Sequence, residues 1–263
     1  MIKGDLYNVF GELGVVLNSS DSLGVASALA QTQGTRFAGI TSLQQGQNII
    51  TASATDACGY RASDSVTINT QTLDEKIRLT ANPESGIPTL TVTLEAEAYL
   101  PTAISGYSWD TDGDGTPDQA GPALSKVAAT YQVPGIYFPI VTITDAAGNI
   151  FSETAIVNVL SREEVDAWLK GKWNSMKTAL AKGTIDNALN YFAKESQEVY
   201  RQIYQLLLPQ LPSLASAMRD ITLVGINGNV AEYYIRRNQK QMDISYFIYF
   251  VKDENGIWKI RDF

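Results

Sequence analysis

Tyr107-Ser108-Trp109-Asp110-Thr111-Asp112-Gly113-Asp114-Gly115-Thr116-Pro117-Asp118 is the stretch on which the reading of this chain turns. An aromatic strand end runs directly into a loop of carboxylates and glycines. A large aromatic in that position fills the space between two sheets, so Trp109 is the expected core anchor. Asp110, Asp112 and Asp114 occupy alternate positions and Asp118 follows, so their oxygens can converge on a hard cation. They fit positions 1, 3, 5 and 9 of an EF-hand loop, with Gly115 at position 6. Position 12, however, is Gly121 where a bidentate Glu is required, and no amphipathic helix follows. An EF-hand is excluded. What is expected is a weaker calcium site at Asp110, Asp112, Asp114 and Asp118, set against the plainer reading in which these side chains cap turn amides.

Downstream come Tyr131, then Pro134-Gly135-Ile136-Tyr137, then Val141-Thr142-Ile143-Thr144-Asp145-Ala146-Ala147-Gly148-Asn149. In this order the motifs resemble the PKD domain, an Ig-like β-sandwich common in bacterial surface and secreted proteins. The resemblance covers about residues 77–160, with 81–88 as its entry loop and 90–94 as its first long strand. Thr55-Asp56-Ala57-Cys58-Gly59-Tyr60 repeats Thr144–Asn149 at an offset of 89 residues, about one Ig-like domain. The first 75 residues therefore resemble a bacterial Ig-like module. Within them Ile50, Ala52 and Ala54 share one face of an alternating strand. Asp56 and Asp145 are expected to accept backbone N–H groups in their own turns. A short linker at 71–76 joins the two modules.

After Leu160 the composition changes. Ser161-Arg162-Glu163-Glu164 reads as a capping box, and Val165, Trp168, Leu169, Trp173, Met176 and Leu180 recur at helical spacing until Gly183. Thr184 is placed to cap a second helix, and 196–208 reads as a third, broken by Pro209 and Pro212. Four strands follow, at 221–226, 230–236, 243–252 and 257–263. This order, closing on Asp253-Glu254-Asn255-Gly256-Ile257-Trp258-Lys259-Ile260, resembles the NTF2-like α+β cone. The resemblance implies helices packed on a curved antiparallel sheet around a conical cavity. In the strand 244–251, Ile244, Tyr246, Ile248 and Phe250 are expected to face the helices. Phe247, Tyr249 and Val251 then need other cover, which makes them a candidate interface for another subunit or domain.

The fold class expected is thus multidomain: Ig-like β-sandwiches at 1–75 and 76–160, then an NTF2-like α+β domain at 161–263. Charge and composition narrow the function. Net charge is −8 with no basic stripe, which disfavours nucleic acid. The chain contains no histidine, so every His-dependent triad, metal site or general base is excluded. Cys58 is the single cysteine and cannot pair within the chain. No segment reaches the apolar length of a membrane span, and no signal peptide is visible. Catalytic residues are not assigned. Glu195, Glu232 and Asp243 are candidate acids of the cone, but their spacing singles out no pair. The reading is a non-catalytic extracellular, cell-surface or periplasmic bacterial module that binds a protein, glycan or small molecule, or assembles as a homodimer through the C-terminal domain, with calcium as its one expected cofactor. The alternatives are an accessory region of an extracellular carbohydrate- or protein-degrading enzyme, and a histidine-free NTF2-like enzyme acting on a small molecule.

Overall fold

The computed structural model describes residues 1–7, 9, 11–21, 24–71, 76–239 and 242–263. Most of the 71–76 linker lies outside these residues, as does the side chain of Asp243. The chain divides into two compact units, Met1–Ser161 and Arg162–Phe263.

The first unit holds two β-sandwiches, each with its own core. In the first, β1 (Ile2–Asp5), β2 (Leu13–Asp21), β3 (Gly24–Leu29), β4 (Gln31–Gln33), β5 (Arg36–Gly39), β6 (Gly46–Asp56) and β7 (Arg61–Thr70) form sheets of order β3-β2-β6-β7 and β1-β5-β4. Alternation decides which side chains meet between them: Leu13, Val15 and Leu17 on β2 and Ala54 on β6 are buried, with Ile2, Leu6 and Phe37 packed against them. This core is small.

The second sandwich is fuller. Its strands are β8 (Ile77–Asn82), β9 (Ser85–Gly86), β10 (Leu90–Ala98), β11 (Ile104–Asp110), β12 (Gln119–Gly121), β13 (Lys126–Tyr131), β14 (Gly135–Tyr137), β15 (Ile140–Asp145), β16 (Ile150–Thr154) and β17 (Val157–Val159). Sheet β13-β10-β8 faces sheet β12-β11-β15-β16, and β17 pairs with β14 and β9. Val92, Leu94 and Val127 from one side meet Trp109, Val141 and Ile143 from the other. Trp109 is fully buried, and its indole N–H donates to the Leu124 carbonyl at 2.8 Å, so the anchor is satisfied as well as packed. Asn158, also fully buried, donates to the Thr32 carbonyl at 3.2 Å and ties the second sandwich to the first.

In the second unit, helices α1 (Arg162–Ala181), α2 (Ile185–Leu189), α3 (Lys194–Leu206) and α4 (Leu211–Ala217) precede β18 (Thr222–Asn227), β19 (Val230–Gln239), β20 (Met242–Lys252) and β21 (Trp258–Asp262). The strands form an antiparallel meander in chain order, and register shifts at Leu223/Gly225 and Tyr249/Phe250 bend it. Helix α1 starts directly after Ser161 and buries Val165, Leu169, Trp173 and Met176 as a stripe. It ends before Gly183, whose φ of +69° is the left-handed stop that a Cβ disfavours. Two expectations need correction. Thr184 makes no cap bond to the second helix; its hydroxyl donates back to the Ala179 carbonyl at 3.0 Å. The third helix starts at Lys194, earlier than 196, because residues 191–193 bridge to β21 through the Ala193 N–H to Ile260 carbonyl and Ile260 N–H to Tyr191 carbonyl bonds.

The space between helices and sheet is filled by large side chains. Trp173, Trp258, Phe192, Tyr204, Tyr233 and Phe250 are all at most 2% exposed. Phe263 closes the cluster, edge-on to Trp173 at 5.0 Å and stacked on Tyr200 at 5.2 Å. Tyr246 does not share this burial: it is 42% exposed, whereas Ile248 and Phe250 on the same strand face are fully buried. The inward stripe of β20 stops at Ile248.

Candidate functional site

The carboxylate loop between β11 and β12 is built around Asp110. One of its oxygens accepts the Gly113 N–H at 2.7 Å and the Asp114 N–H at 3.2 Å; the other accepts the Gly115 N–H at 2.8 Å. Gly113 is obligatory here, since at φ +79° a Cβ would lie 2.6 Å from the Phe138 carbonyl oxygen. Asp118 closes the loop by accepting the Thr111 N–H at 2.7 Å and the Thr111 hydroxyl. The Tyr131 hydroxyl donates to the Thr111 carbonyl at 2.6 Å, which fastens the loop to β13. Burial first, and then the nearby carboxylates led by Asp112, push that hydroxyl well above its ordinary ionisation range.

Three of the four expected ligands come together. Oxygens of Asp110, Asp112 and Asp118 lie within 4.8 Å of one another. Oxygens bound to one calcium at about 2.3–2.6 Å are at most about twice that distance apart, so the spacing is compatible with a shared ion. Asp114 stands outside this group; its carboxylate accepts the Thr116 N–H at 2.7 Å. The two remaining carboxyls are held in opposite directions. Loss of surrounding water, and then the like charges of Asp114, Asp118 and Asp110, raise Asp112, opposed by the Asp114 N–H. Asp118 is lowered by the Thr111 hydroxyl and N–H. A cation would relieve the repulsion at Asp112.

A second motif recurs three times. Asp56, Asp145 and Asp253 each accept two N–H groups in a four-residue hairpin: Cys58 and Tyr60 at 2.9 and 3.0 Å, Ala147 and Asn149 at 2.9 and 2.8 Å, Asn255 and Ile257 at 2.9 and 3.0 Å. The same backbone bonds close each turn, and Gly59, Gly148 and Gly256 adopt φ of +85°, +84° and +79°. These carboxylates are structural. Asp145 is the most enclosed, at 2% exposed, and also accepts the Thr102 hydroxyl and the Asn149 side-chain amide. Thr102 and then Asn149 hold its carboxyl down at about 2.

In the second unit the candidate acids are not brought together. Glu195 is exposed in the first turn of α3. Glu232, half-buried, accepts the Tyr249 hydroxyl at 3.4 Å. Asp166 was not expected: it accepts the buried Tyr233 hydroxyl at 3.1 Å and the Lys170 ammonium at 2.6 Å, linking α1 to β19. Only its i,i+4 spacing from Lys170 was visible beforehand, because the tyrosine lies 67 positions away.

On the other face of the meander, Phe247 is 49% exposed and stands in register with Tyr234, while Tyr249 and Val251 are half-buried. The Arg261 guanidinium covers the Tyr249 ring at 5.1 Å, and Arg236 lies over Tyr234 at 5.7 Å. The interface candidates thus lie on one sheet face, with Tyr249 already partly covered by a cation of its own chain.

No family model and no curated protein matches the chain. Several solved structures share slight similarity with it. Fibronectin(III)-like modules of Clostridium thermocellum CbhA align at 14% identity over 61% of this chain and 96% of that chain, with a TM-score of 0.28. The amphioxus IgVJ-C2 molecule aligns at 14% identity over 60% and 96%, with a TM-score of 0.27. A tetra-tandem repeat from the extending region of a large adhesion protein aligns at 20% identity over 60% of this chain and 44% of that one, with a TM-score of 0.23. Similarity at this level carries neither ligand nor activity. Among the described residues, no helix is long and apolar enough to cross a membrane.

Proposed function

We propose that this chain is a non-catalytic module of a bacterial surface or secreted protein, in which two Ig-like sandwiches, the second PKD-like, serve as spacers for an NTF2-like domain that assembles with a second copy of itself. The observation that carries this reading is the outer face of the C-terminal sheet. Phe247, Tyr234 and Val251 give it an apolar centre, and Glu232, Arg236 and Arg261 lie around it. A face carrying both signs of charge is self-complementary under a two-fold axis, as an isologous dimer requires. The filled space behind the sheet directs function to the surface. Extracellular or periplasmic placement and the spacer role rest on analogy with modules of this architecture. Light scattering on the full chain tests the reading: the wild type should self-associate and Phe247→Glu should not, with the near-UV circular dichroism of both alike. A monomeric wild type ends it.

A second reading, calcium at the Asp110–Asp118 loop, is favoured by the convergence of three carboxylates and the repulsion at Asp112. If it holds, EDTA lowers the melting temperature of the wild type and leaves Asp112→Ala unmoved. An identical response of both proteins removes calcium from the account.

A further inference from the structure

Tandem modules joined by a short linker turn relative to one another unless their interface prevents it. The two sandwiches share one compact unit, and their junction has two parts of different character. One is apolar and unfinished. Leu29 and Ile40 of the first sandwich and Leu79 and Ile156 of the second line a hollow of about 270 Å³, and Ile40 is left 53% exposed. Apolar contact is non-directional, so it does not set an angle.

The other part is polar and directed. Asn158 lies on β17 between β14 and β9, and its backbone N–H donates to the Glu84 carbonyl at 2.9 Å, so its main chain belongs to the second sandwich. Its side chain crosses to the first. The fully buried carboxamide donates to the Thr32 carbonyl at 3.2 Å and to Gln31 Oε1 at 3.3 Å. Thr32 is anchored inward in turn: its hydroxyl donates to the carbonyl of Leu13, a member of the first core, at 3.0 Å. A run of hydrogen bonds therefore joins β17, β4 and β2. At a second point the Lys3 ammonium on β1 lies over the ring of Phe138, directly after β14, at 5.1 Å. β4 and β1 are the two edges of the sheet β1-β5-β4.

We infer that Asn158 and Lys3 lock the two sandwiches at one angle, so that they form a single stiff spacer and not two beads on a linker. One contact leaves a pivot; contacts at opposite edges of the same sheet remove it. The buried amide supplies direction, because a buried donor left without its acceptor is costly and its acceptors here are fixed in β4. The inference rests on the spacer reading above and gives it a mechanical form.

Cys58 and Ala147, its counterpart at the 89-residue offset, are both exposed in equivalent hairpins, so Cys58 with Ala147→Cys forms a pair for spin labels. Pulsed double-resonance EPR on the full chain reads the distance between them. Dilution with unlabelled chain restricts the signal to pairs within one molecule. A single narrow distance distribution is expected. Asn158→Ala should broaden it while near-UV circular dichroism stays unchanged. Lys3→Ala, at an exposed position outside both cores, should broaden it as well. The inference is overturned by a broad distribution before either substitution, or by a narrow one that persists in either variant. If Asn158→Ala unfolds the first sandwich, Lys3→Ala decides alone. A narrow distribution in a chain that stays monomeric contradicts the assembly proposed above and leaves the lock standing. A broad one in a chain that self-associates contradicts the lock alone.

Discussion

Asp145 keeps its charge because Thr102, Asn149 and two turn amides all donate to it, and this sets how the second sandwich responds to acid. Its carboxyl is held at about 2 against an ordinary 3.8. A depressed carboxyl contributes stability that is fully present above its unfolded value and lost as pH falls through the folded one. The stability difference between wild type and Asp145→Asn should therefore be flat from neutral pH to about 4 and shrink between about 4 and 2. Denaturant melts at stepped pH check this, and a difference that shrinks near neutral pH contradicts it. Asp110 is the second residue with a defined cost. Asp110→Ala orphans the Gly113 and Gly115 N–H groups, while the Asp114 N–H keeps Asp112 as acceptor, and should destabilise the second sandwich by about 1–3 kcal/mol, read as a lower urea midpoint.

Elements differ in how far they were legible before the structure. The alternating strands and the α1 stripe follow from period alone, because each carries its apolar residues on one face. The Asp hairpins at 56 and 145 were visible as a repeat. The hairpin turn at Asp253–Gly256 was legible from its Asp and Gly, but not as a third copy, because Lys252-Asp253-Glu254-Asn255-Gly256 shares only those two residues with the repeat. Of the four carboxylates expected to converge, the structure brings together Asp110, Asp112 and Asp118, while Asp114 lies outside the group. Tyr246 was misplaced because period 2 says which face a side chain takes and not where the covering helices end. Filling of the helix–sheet space depends on residues far apart in the chain, Trp173, Phe192 and Phe263 among them, and spacing cannot announce it. The filling is testable. Trp173→Ala removes a buried indole that also donates to the Arg219 carbonyl at 2.9 Å, and should cost about 3–5 kcal/mol in a thermal or urea melt of the full chain. A loss below about 1 kcal/mol would mean that the site collapses easily and is not packed as described.

For the whole molecule, the proposed function lies on the outer face of the C-terminal sheet. That face is the basis of the assembly proposed, and its strength should respond to salt. The apolar centre persists while exposed charge pairs are screened at high ionic strength, so association through Phe247 should weaken modestly in salt and not vanish. The measurement that tests the account most directly is sedimentation equilibrium of the full chain across a wide concentration range. The account predicts a mass rising from 28.7 kDa towards twice that value, with Phe247→Glu staying at 28.7 kDa throughout. A wild type that remains at the single-chain mass at every concentration would contradict it.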